Sequence, residues 1–246
     1  MNENGAADRL LVLIPAYNEE GAIGHVVFGV RQVLADADIL VIDDASTDNT
    51  YTTAQAAGAL VVRHPFNLGI GGTFQTGLKF ALQGNYARVV RLDGDGQHDP
   101  VDIPAMLAVL TGDEADIVVC SRFLGTELMM DIPLARRIGI FLFAATVSAL
   151  TGRRATDTTS GFQALNRKAI TTLATFMPQD YPEVEGRVIT HKAGLRTLEL
   201  PTQMRMRATG VSSINRWRSF YYACKVSIAA CICALKDIPL ARISDQ

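Results

Sequence analysis

Short runs of Val, Ile and Leu alternate with amphipathic helical patterns through the first half of the chain. Strands are expected at 10–15, 39–43, 59–63, 89–93 and 116–121. Helices are expected at 19–34, from about 46, at 71–82 and at 101–110. Strands that are apolar on both faces and separated by helices form mostly parallel sheets with both sides covered. The pattern therefore predicts one α/β domain with a mostly parallel central sheet flanked by helices.

Two uncharged or nearly uncharged stretches follow in the second half, at 138–150 and 220–235. Both are shorter than the roughly 20 apolar residues that a membrane-crossing helix needs. They fit either core helices or helices lying flat in a membrane interface, and Trp217, Tyr221 and Tyr222 beside basic residues favour the interface for the second. We expect a flexible tail at 1–9, a globular domain at 10–215, and a C-terminal amphipathic, interfacial helix with its tail at 216–246.

Cysteine usage and the first residues indicate a cellular compartment. Residues 1–9 lack the apolar core of a signal peptide. The cysteines (Cys120, Cys224, Cys231 and Cys233) lie in apolar elements, without the spacing of a metal site or a disulfide framework. We therefore expect a reduced, cytoplasmic protein.

The net charge of −2 hides a strong asymmetry between the two halves of the chain. Residues 1–121 carry 16 acidic and 6 basic side chains, whereas residues 122–246 carry 9 acidic and 17 basic ones. A basic half indicates recognition of anions, such as a phosphate group or an anionic membrane surface. Nucleic acid is not expected as a partner, because aromatic residues are not interleaved with the basic ones as stacking platforms require.

An acidic turn, DGDGQHDP at 93–100, directly follows the fourth strand. The carboxyl ends of parallel strands form the edge where α/β proteins bind ligands. The carboxylates of Asp93 and Asp95, with the amide of Gln97 nearby, suit Mg²⁺ or Mn²⁺, which usually share their shell with substrate phosphates. The alternative is a plain acidic turn, and Asp99 is expected to cap the next helix in either case. His98 either braces the loop or caps the turn.

Two further polar turns lie on the same predicted edge, PAYNE at 15–19 and DDASTD at 43–48. Acidic side chains there can accept hydrogen bonds from a base or a ribose, and helix N-termini favour phosphate. Asn18, Ser46 and Asp48 fit helix caps equally well. Taken together, the three turns predict a nucleotide and metal site. The glycine-rich segment at 67–72 follows the third strand, which disfavours a dinucleotide fingerprint, and no P-loop is present.

These turns, with NLG at 67–69 and Ser121-Arg122, resemble the family 2 glycosyltransferases of the Rossmann-like GT-A fold. In the second half, DTTSGFQ at 157–163, YPEVE at 181–185, ELP at 199–201 and RATGVS at 207–212 are similar to the polyprenyl-phosphate (dolichyl-phosphate) sugar transferase branch. The resemblance runs in order from about residue 10 to 235. It implies an inverting hexosyltransferase that uses a nucleotide sugar and a divalent cation, Mg²⁺ or Mn²⁺.

The resemblance also implies roles for individual residues. The nucleoside of the donor would be held by Pro15, Tyr17, Glu19 and Asp44. The metal would be bound by Asp93 and Asp95, with Gln97 nearby, and Arg122 would lie against the donor diphosphate or sugar. Arg207 would hold a phosphate of the donor or of the acceptor. The implied catalytic set is Asp93, Asp95, Arg122, Asp157 and Arg207.

The chain departs from the family pattern at several positions. The usual Asp-Ala-Asp is Asp-Gly-Asp here, and Ser213 stands where a Lys often follows the Ser. An Arg with a Ser four residues later, expected near the acceptor, is replaced by Arg136 and Arg137 followed by Ile140 and Phe141. Relatives often carry transmembrane helices after the catalytic domain. Here a membrane surface or a separate small membrane protein would take that role, and the apolar C-terminal helix also fits a homo-oligomer interface.

The two acceptor classes make different demands on the site. A phosphate monoester is ionised near neutral pH and needs cations, whereas a hydroxyl needs a carboxylate base. Candidate bases are Asp157, Asp180, Glu183 and Glu185. The basic second half, the interface-type helices and the resemblance favour a polyprenyl phosphate at the cytosolic membrane face, with a UDP- or GDP-hexose as donor. A sugar hydroxyl of a growing glycan is the alternative, ahead of a sugar nucleotidyltransferase or a non-enzymatic membrane adaptor. For a lipid phosphate, Gln at 183 or 185 should lower turnover only modestly.

Overall fold

The computed structural model describes residues 9–124, 134–178, 181–203 and 216–240. For 134–138, 216–224 and 227 it describes the backbone alone. Several predicted features lie outside these residues: most of the N-terminal tail, Asp180, Arg207 and Ser213. The side chains of Arg136, Arg137, Trp217, Tyr221 and Tyr222 lie outside them as well.

Seven strands of the described chain form one sheet. They are β1 (Leu10–Ala16), β2 (Asp38–Asp43), β3 (Leu60–Arg63), β4 (Arg88–Arg91), β5 (Ile117–Ser121), β6 (Gln163–Asn166) and β7 (Thr197–Pro201). Their order across the sheet is β3-β2-β1-β4-β6-β5-β7. Only β6 runs antiparallel to its neighbours, β4 and β5. The prediction of a mostly parallel α/β sheet is confirmed.

Helices cover both faces of this sheet. They are α1 (Ile23–Val33), α2 (Thr50–Ala56), α3 (Gly69–Gln83), α4 (Ile103–Thr111), α5 (Leu134–Thr151), α6 (Arg167–Phe176), α7 (Pro182–Lys192) and α8 (Arg216–Leu235), with a 3₁₀ turn at Pro100–Asp102. Side chains alternate between the faces of a strand. On β1, Val12 and Ile14 therefore pack with α1 and α4, whereas Leu11 and Leu13 pack with α3 and α6.

The first helix begins at Ile23, four residues later than the sequence pattern predicts. The backbone N–H groups before it are bound by side chains of the neighbouring turn. Asn18 N–H donates to Ser46 Oγ at 2.9 Å, and Glu19 N–H donates to Thr50 Oγ1 at 2.7 Å. These bonds hold the turns after β1 and β2 against each other, which places both at one edge of the sheet.

The fourth strand ends at Arg91, two residues before its predicted end. The chain nevertheless continues alongside β1, because Leu92 N–H donates to the Leu13 carbonyl and Gly94 N–H to the Pro15 carbonyl. A Cβ at Gly94 would approach the Pro15 carbonyl oxygen to 3.1 Å, so glycine permits this close approach. The acidic turn is thereby delivered beside the PAYNE turn.

The two apolar stretches of the second half form α5 and α8, which pack with α7 in a separate cluster. Phe143 and Val147 of α5 meet Val188 of α7 and Val226 of α8 there. Other apolar side chains of the same two helices, including Phe141, Ile228 and Ile232, are exposed. Each helix thus has a core face and an apolar outer face. Within the described part of the chain, no helix has both the length and the apolar character needed to cross a bilayer.

Candidate active site

A pocket of about 360 Å³ opens at the carboxyl ends of β1, β2 and β4. Residues from all three predicted turns line it: Pro15, Tyr17, Glu19, Asp44, Asp93 and Asp95. The N-terminal part of α3 and its preceding loop contribute further lining residues, including Asn67, Gly69, Ile70 and Thr73. Arg91 and Glu183 complete one wall. The structure therefore brings together the residues that the sequence assigned to the nucleoside and the two aspartates assigned to the metal. Gln97 and Arg122 are not among the described lining residues, and Arg207 lies outside the described part of the chain.

The carboxylate of Asp93 is held from two sides. Arg91 Nη2 donates to Oδ1 at 3.3 Å, and His98 Nε2 lies 3.2 Å from Oδ2. His98 is buried, with its ring centroid 5.1 Å from that of Phe162. Burial by itself raises the pKa of a carboxyl group, but at Asp93 the His98 hydrogen bond and the Arg91 charge outweigh it, so the pKa lies well below its usual value. Asp93 is therefore ionised and oriented near neutral pH, and His98 braces the loop.

Gly161, in the DTTSGFQ motif, provides the space that Asp93 occupies. A Cβ on Gly161 would lie 2.6 Å from Asp93 Oδ1 and 2.9 Å from Arg91 Nη2. Non-bonded carbon and oxygen atoms do not approach this closely without displacement, so the two side chains depend on a glycine here. The motif from the second half of the sequence thus supports the acidic turn from the first half.

The rest of the acidic turn is organised by its own side chains. Asp95 Oδ1 accepts a hydrogen bond from the backbone N–H of Gln97 at 3.1 Å. Asp99 accepts one from the N–H of Val101 and caps the 3₁₀ turn, which confirms its predicted capping role. Gly96 has a φ of +74°, a left-handed conformation that glycine adopts without strain.

The donor atoms at this turn fit a divalent cation such as Mg²⁺ or Mn²⁺. Asp93 and Asp95 offer hard carboxylate oxygens in one pocket, and Asp93 is already ionised. In the described residues, no three His, Cys, Asp or Glu side chains converge on one point. Mg²⁺-type sites commonly use one or two carboxylates and complete the shell with water and substrate phosphates. The pair therefore suits an ion that binds together with a phosphorylated ligand.

At the opposite end of the pocket, Asp44 organises the loop before α3. Its carboxylate accepts hydrogen bonds from the backbone N–H groups of Leu68 and Gly69, both at 2.9 Å, and lies 2.7 Å from His64 Nδ1. Asp44 is buried and shapes this loop. This role is additional to its predicted contact with the nucleoside. Tyr17 is 48% exposed in the same region, which leaves its ring available for stacking against a base.

Arg122 and Asp157 form a second constellation, beyond the end of β5. Arg122 Nε and Nη2 donate to the two carboxylate oxygens of Asp157 at 2.7 and 2.8 Å. Asp157 is fully buried, and burial raises its pKa, but the hydrogen bonds and charge of Arg122 outweigh this effect and lower the pKa below its usual value. An ionised carboxylate with both oxygens occupied holds Arg122 in place and is poorly suited to act as a base.

A second pocket, of about 430 Å³, begins beside Phe123, the residue after Arg122. Among the described residues, its ionisable lining is mainly basic and consists of Arg153, Arg154, Arg187 and His191, with Glu199 as the one carboxylate. Arg187 donates to Glu199 at 2.9 Å and to the Asp157 carbonyl at 3.0 Å. Arg153 and Arg154 are exposed, with no ion pair among the described residues. Apolar side chains, including Leu124 and Val147, line the remainder.

Two residues of the first pocket were not assigned their observed roles from the sequence. Arg91 lies within the predicted strand at 89–93, and the sequence predicts no role for its side chain at the site. The sequence predicts Glu183 only as a candidate base, whereas its Oε1 accepts a hydrogen bond from Arg91 Nη2 at 2.9 Å. An arginine inside a Val-rich strand was the available signal, although its partner could not be identified from local sequence.

Comparison with known proteins identifies the family. Residues 11–173 match the family model described as glycosyl transferase family 2. The chain belongs to this family. It is 31% identical over 215 residues to UDP-N-acetylglucosamine–dolichyl-phosphate N-acetylglucosaminyltransferase of Methanococcus voltae, covering 79% of this chain and 85% of the relative. It is 29% identical over 216 residues to undecaprenyl-phosphate mannosyltransferase of Micrococcus luteus, covering 84% and 88%. The predicted family and its polyprenyl-phosphate branch are confirmed, and the protein is a glycosyltransferase.

Solved structures establish the fold independently. Glucosyl-3-phosphoglycerate synthase of Mycobacterium tuberculosis, in complex with Mn²⁺ and UDP-glucose, superposes with a TM-score of 0.70 at 23% identity. The superposition covers 94% of this chain and 81% of the synthase. The predicted GT-A architecture is therefore confirmed, while the roles of individual site residues remain predictions.

Proposed function

We propose that this glycosyltransferase moves a hexose, with inversion, from a UDP- or GDP-linked donor to a polyprenyl phosphate at the cytosolic face of a membrane. The observation that carries the proposal is that three polar turns line one pocket, to which they bring Tyr17, Asp44, Asp93 and Asp95. Relatives named for dolichyl-phosphate and undecaprenyl-phosphate transfer support the acceptor class.

The donor is proposed to lie along the pocket from Tyr17 to Asp95. Tyr17 and Pro15 would contact the base, and the diphosphate would lie towards Asp93 and Asp95. Asp44 would keep the loop before α3 in position through its bonds to the N–H groups of Leu68 and Gly69. These contacts are common to UDP and GDP, so the chain's own residues support both nucleotides.

Asp93 and Asp95 would hold the cation against the donor diphosphate. When bound, Mg²⁺ or Mn²⁺ stabilises the negative charge that develops on the departing nucleoside diphosphate. His98 and Arg91 keep the Asp93 carboxylate ionised and oriented for this task. Arg122, held by Asp157, is proposed to meet the diphosphate or the sugar from the side of β5.

A lipid phosphate fits the observed side chains better than a hydroxyl acceptor does. The second pKa of a phosphate monoester is around 6, so the acceptor attacks without a protein base. Asp157, one candidate base, is occupied by Arg122. Arg153 and Arg154 of the second pocket supply cations for an anionic head group, and the adjacent apolar lining suits a hydrocarbon chain.

Association with a membrane surface is proposed to use the outer faces of α5 and α8. Phe141 on α5 and Ile228, Ile232 and Leu235 on α8 are apolar and exposed. Grouped apolar exposure of this kind marks interaction surfaces, and basic residues such as Lys225 suit anionic lipid head groups. The protein would then be peripheral on the cytosolic face.

The alternative acceptor is a sugar hydroxyl of a growing cell-envelope glycan. The observation that favours it is the position of Glu183 in the donor pocket, where a carboxylate could take the proton of a hydroxyl. Its Oε1 already accepts a hydrogen bond from Arg91, which ties the carboxylate to the wall of the pocket.

The direct test is transfer of labelled hexose from a panel of UDP- and GDP-sugars to undecaprenyl phosphate, dolichyl phosphate and soluble oligosaccharides. We expect a lipid-linked, chelator-sensitive product from one donor. A thermal-shift panel of the same donors with and without Mn²⁺ identifies the nucleotide, because a ligand of the folded state raises the melting temperature. Product on oligosaccharides alone would select the alternative acceptor, and transfer that resists chelation would contradict the metal-dependent mechanism.

A further inference from the structure

Arg91 is a buried charge in the wall of the donor pocket. It is 1% exposed, and its Cζ lies 4.7 Å from the centroid of the Phe74 ring. One nitrogen, Nη2, reaches both Asp93 Oδ1 at 3.3 Å and Glu183 Oε1 at 2.9 Å. Nε and Nη1 have no hydrogen-bond partner among the described residues. Towards the part of the chain that the structure describes, the guanidinium therefore makes its hydrogen bonds through one nitrogen.

Fold stability does not account for an arginine at this position. A buried charge with unpartnered N–H groups carries a desolvation penalty, and replacing a buried ion pair with apolar residues of similar size is often neutral or stabilising. The other two buried positions of β4, Val89 and Val90, are apolar. Residues that break such local rules tend to serve the functional site.

We propose that Arg91 is a positioning residue, which, braced by Glu183 of α7, fixes the Asp93 carboxylate in the orientation that binds the cation. Arg91 holds one oxygen of Asp93 and His98 holds the other, so the carboxylate cannot rotate freely. Glu183, which lies 92 residues further along the chain, anchors the guanidinium from α7. The proposal rests on the proposed function, in which Asp93 is a metal ligand.

A charge-matched variant isolates this orienting role. Arg91 and Glu183 carry opposite charges, so the double variant Arg91→Met/Glu183→Met leaves the net charge around Asp93 unchanged. A change in cation affinity then reports on orientation and not on electrostatic attraction. Arg88→Met is the matched control for loss of an arginine from β4. Arg88 begins the same strand, and its Nη1 donates to Thr111 Oγ1.

Two quantities are measured: the affinity for Mn²⁺ in the presence of UDP, and the melting temperature. The free Mn²⁺ is detected by electron paramagnetic resonance. Partners that orient metal ligands typically contribute about 10–100-fold to metal affinity. We expect the double variant to bind Mn²⁺ at least about tenfold more weakly, with an unchanged or raised melting temperature. Arg88→Met should bind as the wild type does.

Asp93→Asn separates failure of this inference from failure of the proposed function. If Asp93→Asn abolishes Mn²⁺ binding while the double variant retains wild-type affinity, the metal site stands and the positioning role of Arg91 is wrong. If Asp93→Asn itself binds Mn²⁺ normally, the proposed metal site is wrong and the inference falls with it. A double variant that does not fold, or melts well below the wild type, shows that the pair serves stability and also overturns the inference.

Discussion

Arg122 and Asp157 form a bidentate ion pair in which the carboxylate is fully buried and the guanidinium is nearly so. Removing one partner of such a pair leaves an uncompensated buried charge, which costs about 3–5 kcal/mol. We therefore expect Asp157→Asn to lower the free energy of unfolding by roughly 3 kcal/mol in urea titrations. Asp113→Asn is the control, because its partner Arg196 is well exposed and such pairs contribute at most about 1 kcal/mol. Equal effects of the two variants would contradict this account.

The stabilising effect of Asp157 should depend on pH in one direction. Its pKa is lower in the folded state than the value of about 4 of an unfolded chain. A lowered pKa stabilises the fold fully above the unfolded value, and the contribution is lost as the pH falls towards the folded value. The stability difference between wild type and Asp157→Asn should thus be constant from about pH 7 to 5 and shrink below about pH 4. A difference that grew on acidification would refute the assignment.

Gly161→Ala should damage catalysis without damaging the fold. The added Cβ would lie 2.6 Å from Asp93 Oδ1, so the carboxylate must move, and a displacement of about 1 Å can cost roughly 100-fold in rate. We expect kcat/KM to fall by about that factor, with a higher Mn²⁺ requirement. Gly139→Ala is the matched control, since a Cβ there meets nothing within 4 Å and glycine is a poor helix former. Normal turnover by Gly161→Ala would show that Asp93 tolerates displacement.

The sequence predicts β1 to β5 and the location of the site well, for physical reasons. A strand buried on both faces needs a continuous apolar run, and the turns that follow parallel strands meet at one edge. The pocket at Pro15, Asp44 and Asp93 follows from those two rules. The start of α1 does not follow from them, because it is set by Ser46 of the turn after β2 and by Thr50 at the start of α2.

The elements that the sequence does not predict depend on distant partners. β6 has four residues and is buried only because it pairs with both β4 and β5. β7 lies at the edge of the sheet and is half-exposed, so its apolar signal is weak. The same limit applies to Arg91, whose meaning depends on Glu183 in α7. Local sequence patterns predict where a strand lies. The role of a charged residue inside that strand depends on its long-range contacts.

Glu183→Gln distinguishes the two acceptor classes. Loss of a general base typically costs about 10²–10⁴ in rate, and added Mn²⁺ would not restore it. With a phosphate acceptor, Gln still accepts a hydrogen bond from Arg91, so turnover should fall by about tenfold at most and recover partly at higher Mn²⁺. The measurement is the initial rate of transfer, across a Mn²⁺ titration, to whichever of undecaprenyl phosphate and the soluble oligosaccharides gives product with the wild type. A loss at the base-like level in a folded variant would favour the hydroxyl acceptor.

Arg153→Ala/Arg154→Ala should weaken the acceptor and leave the donor unaffected. Hydrogen bonds to charged groups contribute about 1.5–3 kcal/mol each, which corresponds to a rise in KM for polyprenyl phosphate of roughly tenfold or more. Hydrolysis of the nucleotide sugar in the absence of acceptor should be unchanged, because neither arginine lines the donor pocket. Lys79→Ala, an exposed cation on α3, controls for the general loss of positive charge. An unchanged KM would exclude the second pocket as the head-group site.

Ile228→Asp/Ile232→Asp should reduce binding to a membrane surface. Both side chains are exposed and lie one helical turn apart on α8, whereas Val226 and Ala230 face the core. Burying an apolar side chain contributes about 1.5–3 kcal/mol, so losing two should lower the affinity for vesicles by at least about tenfold. Co-sedimentation with vesicles containing anionic lipid measures this, and Phe28→Asp, an exposed apolar residue on α1, is the control. Light scattering on the same samples reports oligomeric state. If the variant converts an oligomer to a monomer and vesicle binding is unaltered, the exposed face of α8 joins two copies of the chain and the proposed membrane contact is wrong.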